Sequence, residues 1–361
     1  MAAVIDPKKE LLKKRKKLII SPETALSTGS TMLNLAHTDH PRHGFVKGQY
    51  YELIGDSSSG KTWLSMTCFA EAQLNRHFQD YELHFFDVEE GALMDLEKFF
   101  GITVAEKIIT HPCRTIQDYY RTLYDLLVVK KKKILYALDS QDALENAAAQ
   151  KKFKEQKKAA ESGEKEVGSY GDGKAKYHSE NIRWVKSALR DTGSIGIVIM
   201  QTRDNPAAFG FQPKKVHSGG KSHKFYAAAE MWCSVGKPLM KLIRGKPRNV
   251  GSTCIVEVRK NRVTGKIGKG RSAVIPIYYS HGIDDTGSLV EFLIAEGGFE
   301  KVSDKPLLYK VPDTDFTGSK NQIIKFFEDS DSEELLQDMA AEVWNEIEAE
   351  CELVNRKKRY E

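Results

Sequence analysis

No apolar run in the sequence approaches the roughly 18 residues that a bilayer-spanning helix needs, so no such helix is expected. Cysteine is scarce and odd in number: five residues, at positions 68, 113, 233, 254 and 351, with no CxxC pair. That argues against a disulfide framework and for incidental thiols in a reducing compartment. The opening "MAAVIDPKKE" lacks the charge-then-apolar order of a secretory signal, so a cytoplasmic protein is expected. There is no internal repeat. Lysine and arginine are missing between Glu328 and Glu352, where eleven acidic residues stand. The start of the chain, "PKKELLKKRKK", is the reverse. The net charge of +5 therefore averages two separated blocks and says little by itself about partners.

What is present suits a globular protein. Over 361 residues, 40% are apolar, enough for one large domain and a smaller one. Short apolar runs alternate with helix-spaced stretches. "QYYELIG" (49–55), "ELHFFDVE" (82–89), "KKILYALD" (132–139) and "IGIVIMQ" (195–201) read as strands. "KTWLSMTCFAEAQLNRHF" (61–78) and "TIQDYYRTLYDLLVV" read as helices. This alternation predicts an α/β fold with a mostly parallel central sheet covered on both faces. After Lys221 the pattern changes to shorter strands, "EMWCSVGKP", "PLMKLIRG", "TCIVEVRKNR" and "VIPIYYS", expected as a hairpin-rich extension of the sheet. Three units are expected: a basic N-terminal element over 1–25, a large α/β core over 26–297, and a small C-terminal domain with an acidic helix over 298–361. Residues 151–176 carry eight lysines and look least globular.

"GDSSSGKTW" (55–63) sits between a strand and a helix. Gly55, Gly60, Lys61 and Thr62 complete the pattern GxxxxGK[ST], whose backbone N–H groups cradle phosphates beside a helix N-terminus. Gly55, Asp56, Ser57, Ser58, Ser59, Gly60, Lys61, Thr62 and Trp63 are the expected nucleotide contacts, although Trp63 is expected to pack into the core. Lys61 can bridge β- and γ-phosphates, and the Thr62 hydroxyl can ligate Mg²⁺. Asp139, at the end of "ILYAL", is the expected carboxylate on the Mg²⁺ side. Glu89 ends another strand with Asp87 on the same side and is chosen as the base for the attacking water; Glu90 is not far behind it. Gln201 ends a fourth strand at the same edge, where an amide can sense the γ-phosphate.

These segments, in this order, resemble the RecA family of recombinases and their bacteriophage relatives. "LSTGSTMLNLA", "GDSSSGKT", "FFDVEEGALMDLEKFFGI", "LYALDS", "IVIMQTR", "SGGKSHKFYAAAEMW", "VEVRKNRV" and "YYSHGIDDTGSLVEFLIAEGGF" carry the resemblance over most of residues 6–300. It implies a RecA-like ATPase core using ATP and Mg²⁺, with single-stranded and double-stranded DNA as partners. It also implies a helical filament of this chain, aided by single-strand-binding or mediator proteins, with no membrane role. Glu89 and Gln201 match the family's catalytic glutamate and γ-phosphate-sensing glutamine. Lys260 and Arg262 match two lysines that reach a neighbour's phosphates, Arg262 departing from lysine but keeping the charge. DNA loops fall near 163–178 and 203–221, with Lys174, Lys176, Arg203, Lys214, Lys215 and Lys221 as backbone contacts. The implied function is ATP-dependent strand exchange on single-stranded DNA. The alternative is a hexameric DNA helicase or translocation motor with a similar core. A non-catalytic filament clamped by ATP is a third reading, against which stand Glu89 and Asp139. The lysine-rich stretch 151–165 is extra relative to bacterial members.

Overall fold

The computed structural model describes residues 20–91, 94–147, 173–205, 215–217, 221–353 and 356. The expected N-terminal element up to residue 19, the lysine-rich stretch 151–165 and Lys214 lie outside them; of Lys221 only the backbone is described.

Two short strands, Ala25–Leu26 (β1) and Phe45–Val46 (β2), pair antiparallel around helix Thr31–Thr38 (α1). The core follows as Tyr50–Gly55 (β3), Lys61–Leu74 (α2), Glu82–Asp87 (β4), Leu96–Phe100 (α3), Ile102–Lys107 (α4) and Ile108–His111 (β5). Next come Ile116–Tyr124 (α5), Ile134–Asp139 (β6), Lys174–Thr192 (α6), Ile195–Asp204 (β7), Lys215–His217 (β8) and Lys221–Tyr226 (α7). Ala229–Ile243 (β9), Lys246–Asn261 (β10), Ser272–Tyr278 (β11), Gly282–Ile283 (β12) and Asp285–Ala295 (α8) complete it. A C-terminal unit adds Glu300–Asp304 (β13), Leu307–Lys310 (β14), Thr317–Gly318 (β15), Lys320–Asp329 (α9) and Glu333–Glu350 (α10).

The main sheet has the order β12-β11-β10-β9-β3-β7-β6-β4-β5, with β8 paired to β7. The six strands from β9 to β5 are parallel to their neighbours, and β10, β11 and β12 extend the sheet antiparallel. Alternation within each strand divides the core. Leu135 and Ala137 face the side of α1 and α2, while Ile134, Tyr136 and Leu138 face α5 and α6. Burial on both faces is why "ILYAL" is apolar without a break.

Three elements differ from their sequence expectation. Helix α2 stops at Leu74 rather than continuing to residue 78, because Asn75 leaves helical geometry and its Nδ2 donates to the Pro22 carbonyl at 3.0 Å. The segments "EMWCSVGKP" and "PLMKLIRG" form one 15-residue strand, β9, through Pro238. The proline is tolerated because β3 has already ended at Gly55, opposite Cys233, so no neighbour on that side needs its N–H. Strand β7 runs three residues past Gln201 and pairs with β8, Arg203 opposite Val216.

Candidate nucleotide site

Parallel strands deliver their carboxyl ends to one edge, and the ends of β3, β4 and β6 build a cavity of ≈ 410 Å³ there, walled on the far side by Ser252 of β10 and Ile277 of β11. Its walls include Ser59, Lys61, Thr62, Glu89, Asp139 and Tyr279. The loop after β3 needs two of its glycines. A Cβ on Gly55 would lie 2.2 Å from the Cys233 carbonyl oxygen, and Gly60, at φ 87°, caps α2 in the left-handed region.

Lys61 is buried, and its Nζ donates to the carbonyls of Gly55 (2.9 Å) and Asp56 (2.5 Å) and to Ser59 Oγ (3.2 Å). Burial pulls its pKa down, opposed by the carboxylates of Asp139, Glu89 and Asp56. The Thr62 hydroxyl donates to Asp139 Oδ2 at 2.6 Å. Burial pushes the Asp139 carboxyl up to about 6, with Thr62 pulling the other way and Glu89 adding to the rise. The Thr62 hydroxyl on the first turn of α2 and the Asp139 carboxylate at the end of β6 are hard oxygen donors of the kind Mg²⁺ takes, so the residues present fit that ion.

Across the cavity, Glu89 Oε1 accepts from Ser140 Oγ at 2.5 Å and from Gln201 Nε2 at 3.0 Å. The ends of β4, β6 and β7 thus meet on one carboxylate oxygen. Glu90 points elsewhere, toward Arg114 at 3.5 Å. Asp87 Oδ1 accepts from the Gly91 N–H at 3.3 Å. Ser57 and Ser58 are exposed at the mouth of the loop. Trp63 packs against the main core cluster as expected, edge-on to Phe99 at 4.7 Å, but it is only half-buried and its outer side also lines the cavity.

The residues expected to meet DNA start from the same edge. Lys215 and the Thr202 hydroxyl both bond the Asp56 carboxylate, which holds its pKa below the usual range. Asp142 Oδ2 accepts from the Gln201 N–H at 2.7 Å, its other oxygen lies 3.8 Å from Arg203, and its carbonyl accepts from Lys174 Nζ at 2.7 Å. Lys176 is exposed, 4.0 Å from Glu180. Lys260 and Arg262 do not join the cavity of their own chain. Lys260 pairs with Glu230 in β9, three residues before the Cys233 that faces Gly55, or about 10 Å away at ~3.3 Å per residue. Arg262 is farther still, its N–H bonded to the Ala228 carbonyl at 2.8 Å. Beside them lies Lys186, whose pKa is brought down to about 8 by burial and then by the charges of Arg262 and Lys260.

Sequence reading missed Tyr279, Asp142 and Lys186. Tyr279 had a signal: it continues the parity of Ile275 and Ile277, both buried, past the end of β11. Asp142 and Lys186 had none, since their roles depend on which strands become neighbours.

A glycine-rich phosphate cradle at the carboxyl edge of a parallel sheet, with carboxylates from two further strands, defines the class: an α/β protein with a phosphate-loop core. The family model described as the RecA N-terminal domain matches residues 9–284, and the chain belongs to the RecA family. It is 27% identical over 277 residues to Protein RecA of Solidesulfovibrio magneticus, covering 77% of this chain and 70% of that one. It is similar to Protein RecA of Streptomyces venezuelae (27% over 280 residues; 78% of this chain, 66% of that one). Protein RecA of Corynebacterium urealyticum is 26% identical over 280 residues (78% and 68%). The match does not favour the helicase alternative. Among the described residues no helix is long and apolar enough to cross a membrane.

Proposed function

We propose that this chain is an ATP-dependent DNA recombinase that assembles as a filament on single-stranded DNA, pairs it with a duplex and exchanges strands. The observation that carries the reading is the shared Glu89 oxygen. A candidate base is held by Ser140 and by Gln201, the residue from which β7 leaves for Arg203 and Lys215. Occupancy of the cavity and placement of the DNA-side residues are thereby joined through one side chain.

The proposed roles are these, supported where the residues are described by the contacts above. Lys61 exchanges its loop carbonyls for phosphate oxygens and supplies the counter-charge to the γ-phosphate. Thr62 and Asp139 would hold Mg²⁺, which when bound neutralises charge on the phosphate oxygens. Glu89 takes the proton of the attacking water. Gln201 orients Glu89 and exchanges that bond for one to the γ-phosphate. Lys174, Lys176, Arg203, Lys214, Lys215 and Lys221 are the proposed contacts to the DNA backbone. Lys260 and Arg262, far from their own cavity and crowded by Lys186, are proposed to serve a neighbour's phosphates, which makes the site complete only in an assembly.

The test is ATP turnover with and without single-stranded DNA, together with strand exchange, in the parent and in Lys61→Ala. The parent is expected to be stimulated by DNA, and the variant to lose about a hundredfold or more in turnover. Full DNA-stimulated turnover in Lys61→Ala would sink the assignment.

A further inference from the structure

Four cations gather at the amino end of β3. Lys186 Nζ, on α6, donates to Gln49 Oε1. Gln49 precedes Tyr50, whose carbonyl accepts from the Ala228 N–H at 2.7 Å, and the Ala228 carbonyl accepts from the Arg262 N–H at 2.8 Å. Lys260, two residues before Arg262, donates through Nζ to the Lys224 carbonyl. Lys186, Lys224, Lys260 and Arg262 thus share one corner of the molecule, and none of them has an ion-pair partner among the described residues. The carboxyls that act on Lys260, Glu52 and Glu230, are buried in the sheet.

Lys186 holds the costly position of the four. Helix α6 turns His178, Ile182, Val185 and Leu189 inward. Lys186 stands four residues after Ile182 and three before Leu189, at the edge of that stripe, where a helix carries apolar residues. It is half-buried, and its one bonded partner in the corner, the Gln49 amide, is neutral. The charged groups that face it are Arg262 and Lys260 at the end of β10 and Arg190 on its own helix, all of the same sign. Elsewhere the fold answers a buried cation: Arg271 bonds Asp39 and Glu348. At Lys186 the chain supplies no such anion, and a half-buried cation among cations is stabilised most by one brought from outside.

We propose that Lys186 is a third cation, beside Lys260 and Arg262, for the terminal phosphates of a nucleotide carried by a neighbouring copy of the chain; the proposal rests on the assembly reading above. The corner is too far from its own cavity to serve it, since Lys260 alone lies about 10 Å along β9 from the Cys233 that faces Gly55, at ~3.3 Å per residue. Several negative charges on one ligand match several cations in one corner, and Lys186 can exchange the neutral Gln49 oxygen without leaving a charge unpaired. A consequence separates this role from simple packing. Burial and the neighbouring charges bring the Lys186 pKa from 10.5 down to about 8, and an adjacent phosphate restores it upward. Below pH 8 both the free and the assembled chain hold the proton. Above it, assembly must take up a proton, so the assembly constant falls with rising pH by up to about tenfold per unit.

The test follows assembly of the full chain on single-stranded DNA with a non-hydrolysable ATP analogue, by light scattering at fixed salt, from pH 7 to 9.5. The parent is compared with Lys186→Arg and Lys186→Gln. The protein concentration needed by the parent should rise above pH 8, approaching about tenfold per pH unit. Lys186→Arg, charged throughout, should match the parent within about threefold at pH 7 and lack that rise. Lys186→Gln should need about tenfold more protein at pH 7, the loss of one charge-assisted hydrogen bond. Parallel pH curves in the parent and Lys186→Arg overturn the proposal, as does a Lys186→Gln variant that assembles like the parent at pH 7. So does an equal loss of DNA binding measured without nucleotide, which would put Lys186 on DNA phosphates instead. A parent that fails to assemble with nucleotide at any pH overturns the proposed function itself, so the two failures are distinguishable.

Discussion

Glu89 carries two hydrogen bonds on one oxygen, from donors on two different strands. Glu89→Gln keeps the shape and removes the proton acceptor, so nucleotide should still bind while turnover falls by about 10²-fold or more. Comparing nucleotide affinity with turnover checks this, and undiminished turnover removes Glu89 from the role. Gln201→Ala should leave basal turnover and lose its stimulation by DNA; a stimulation ratio equal to the parent's argues against the coupling. A second carboxyl has a separate consequence. Glu52 is fully buried in β3, register partner of Glu230 in β9. Its carboxyl is pushed up to about 8 by burial first and by Glu230 second, with the Tyr50 hydroxyl opposing. Between its ordinary value of 4.5 and about 8 the folded protein holds a proton that the unfolded chain has released. Stability contributed by this group therefore falls as pH rises through that window, by at most about 1.4 kcal/mol per pH unit. Glu52→Gln should flatten the fall, and urea midpoints at pH 5 and pH 8 read it. Parallel pH curves for parent and variant contradict the burial argument.

At the scale of elements, the phosphate loop and the β7–β8 hairpin are tied by Asp56, whose carboxylate takes Lys215 and Thr202. Lys215 is thus shared between an internal carboxylate and any phosphate that reaches β8. Both side chains are about half exposed, so the tie is worth no more than about 1 kcal/mol. Asp56→Asn should release Lys215 and raise affinity for single-stranded DNA a few-fold in the absence of nucleotide. Fluorescence anisotropy at low salt measures it, and unchanged affinity would show that Lys215 is not a DNA contact. Asp142 does the parallel service between β7 and the start of α6, but through a backbone N–H and a carbonyl as well as Arg203.

At the scale of the whole molecule, the C-terminal unit is joined to the core by apolar packing and by ion pairs, among them Arg42 with Asp338, Lys320 with Glu291 and a partly buried clasp at Arg271. Phe327, Leu336 and Trp344 belong to the same buried cluster as Leu53, Ile197 and Val256 of the sheet. Above that cluster, buried Arg271 bonds Asp39 and Glu348, Lys266 Nζ lies 2.6 Å from Glu348, and Trp344 Nε1 donates to Asp39 at 3.2 Å. The acidic residues of α10 described in pairs thus engage Arg42, Lys266 and Arg271 rather than the residues proposed to meet DNA. Arg271→Ala removes the buried cation and leaves only the more exposed Lys266 between the Asp39 and Glu348 carboxylates, which should cost about 3 kcal/mol. Calorimetry should show a lower Tm and still a single transition, because the apolar cluster is continuous. Two resolved transitions in the parent would show instead that the C-terminal unit folds apart from the core.

The sequence by itself determined the order of strands and helices, the phosphate loop, and the carboxylates that end β4 and β6, because each is written in a local pattern: apolar runs, glycine spacing, a polar residue where a strand stops. It also carried the order of segments by which the family is recognised. Which strand ends became neighbours was decided only in three dimensions. Glu89, Ser140 and Gln201 are separated by 51 and 61 residues along the chain, and only the order β3-β7-β6-β4 sets them on one oxygen. The same cause separates Lys260 and Arg262 from the cavity, since β10 runs antiparallel and carries them toward the opposite edge. The long hairpin of β9 and β10, too, was invisible as a motif: "KPLMKLIRGKPRN" reads as two strands broken by proline until β3 and β11 are seen to end before it.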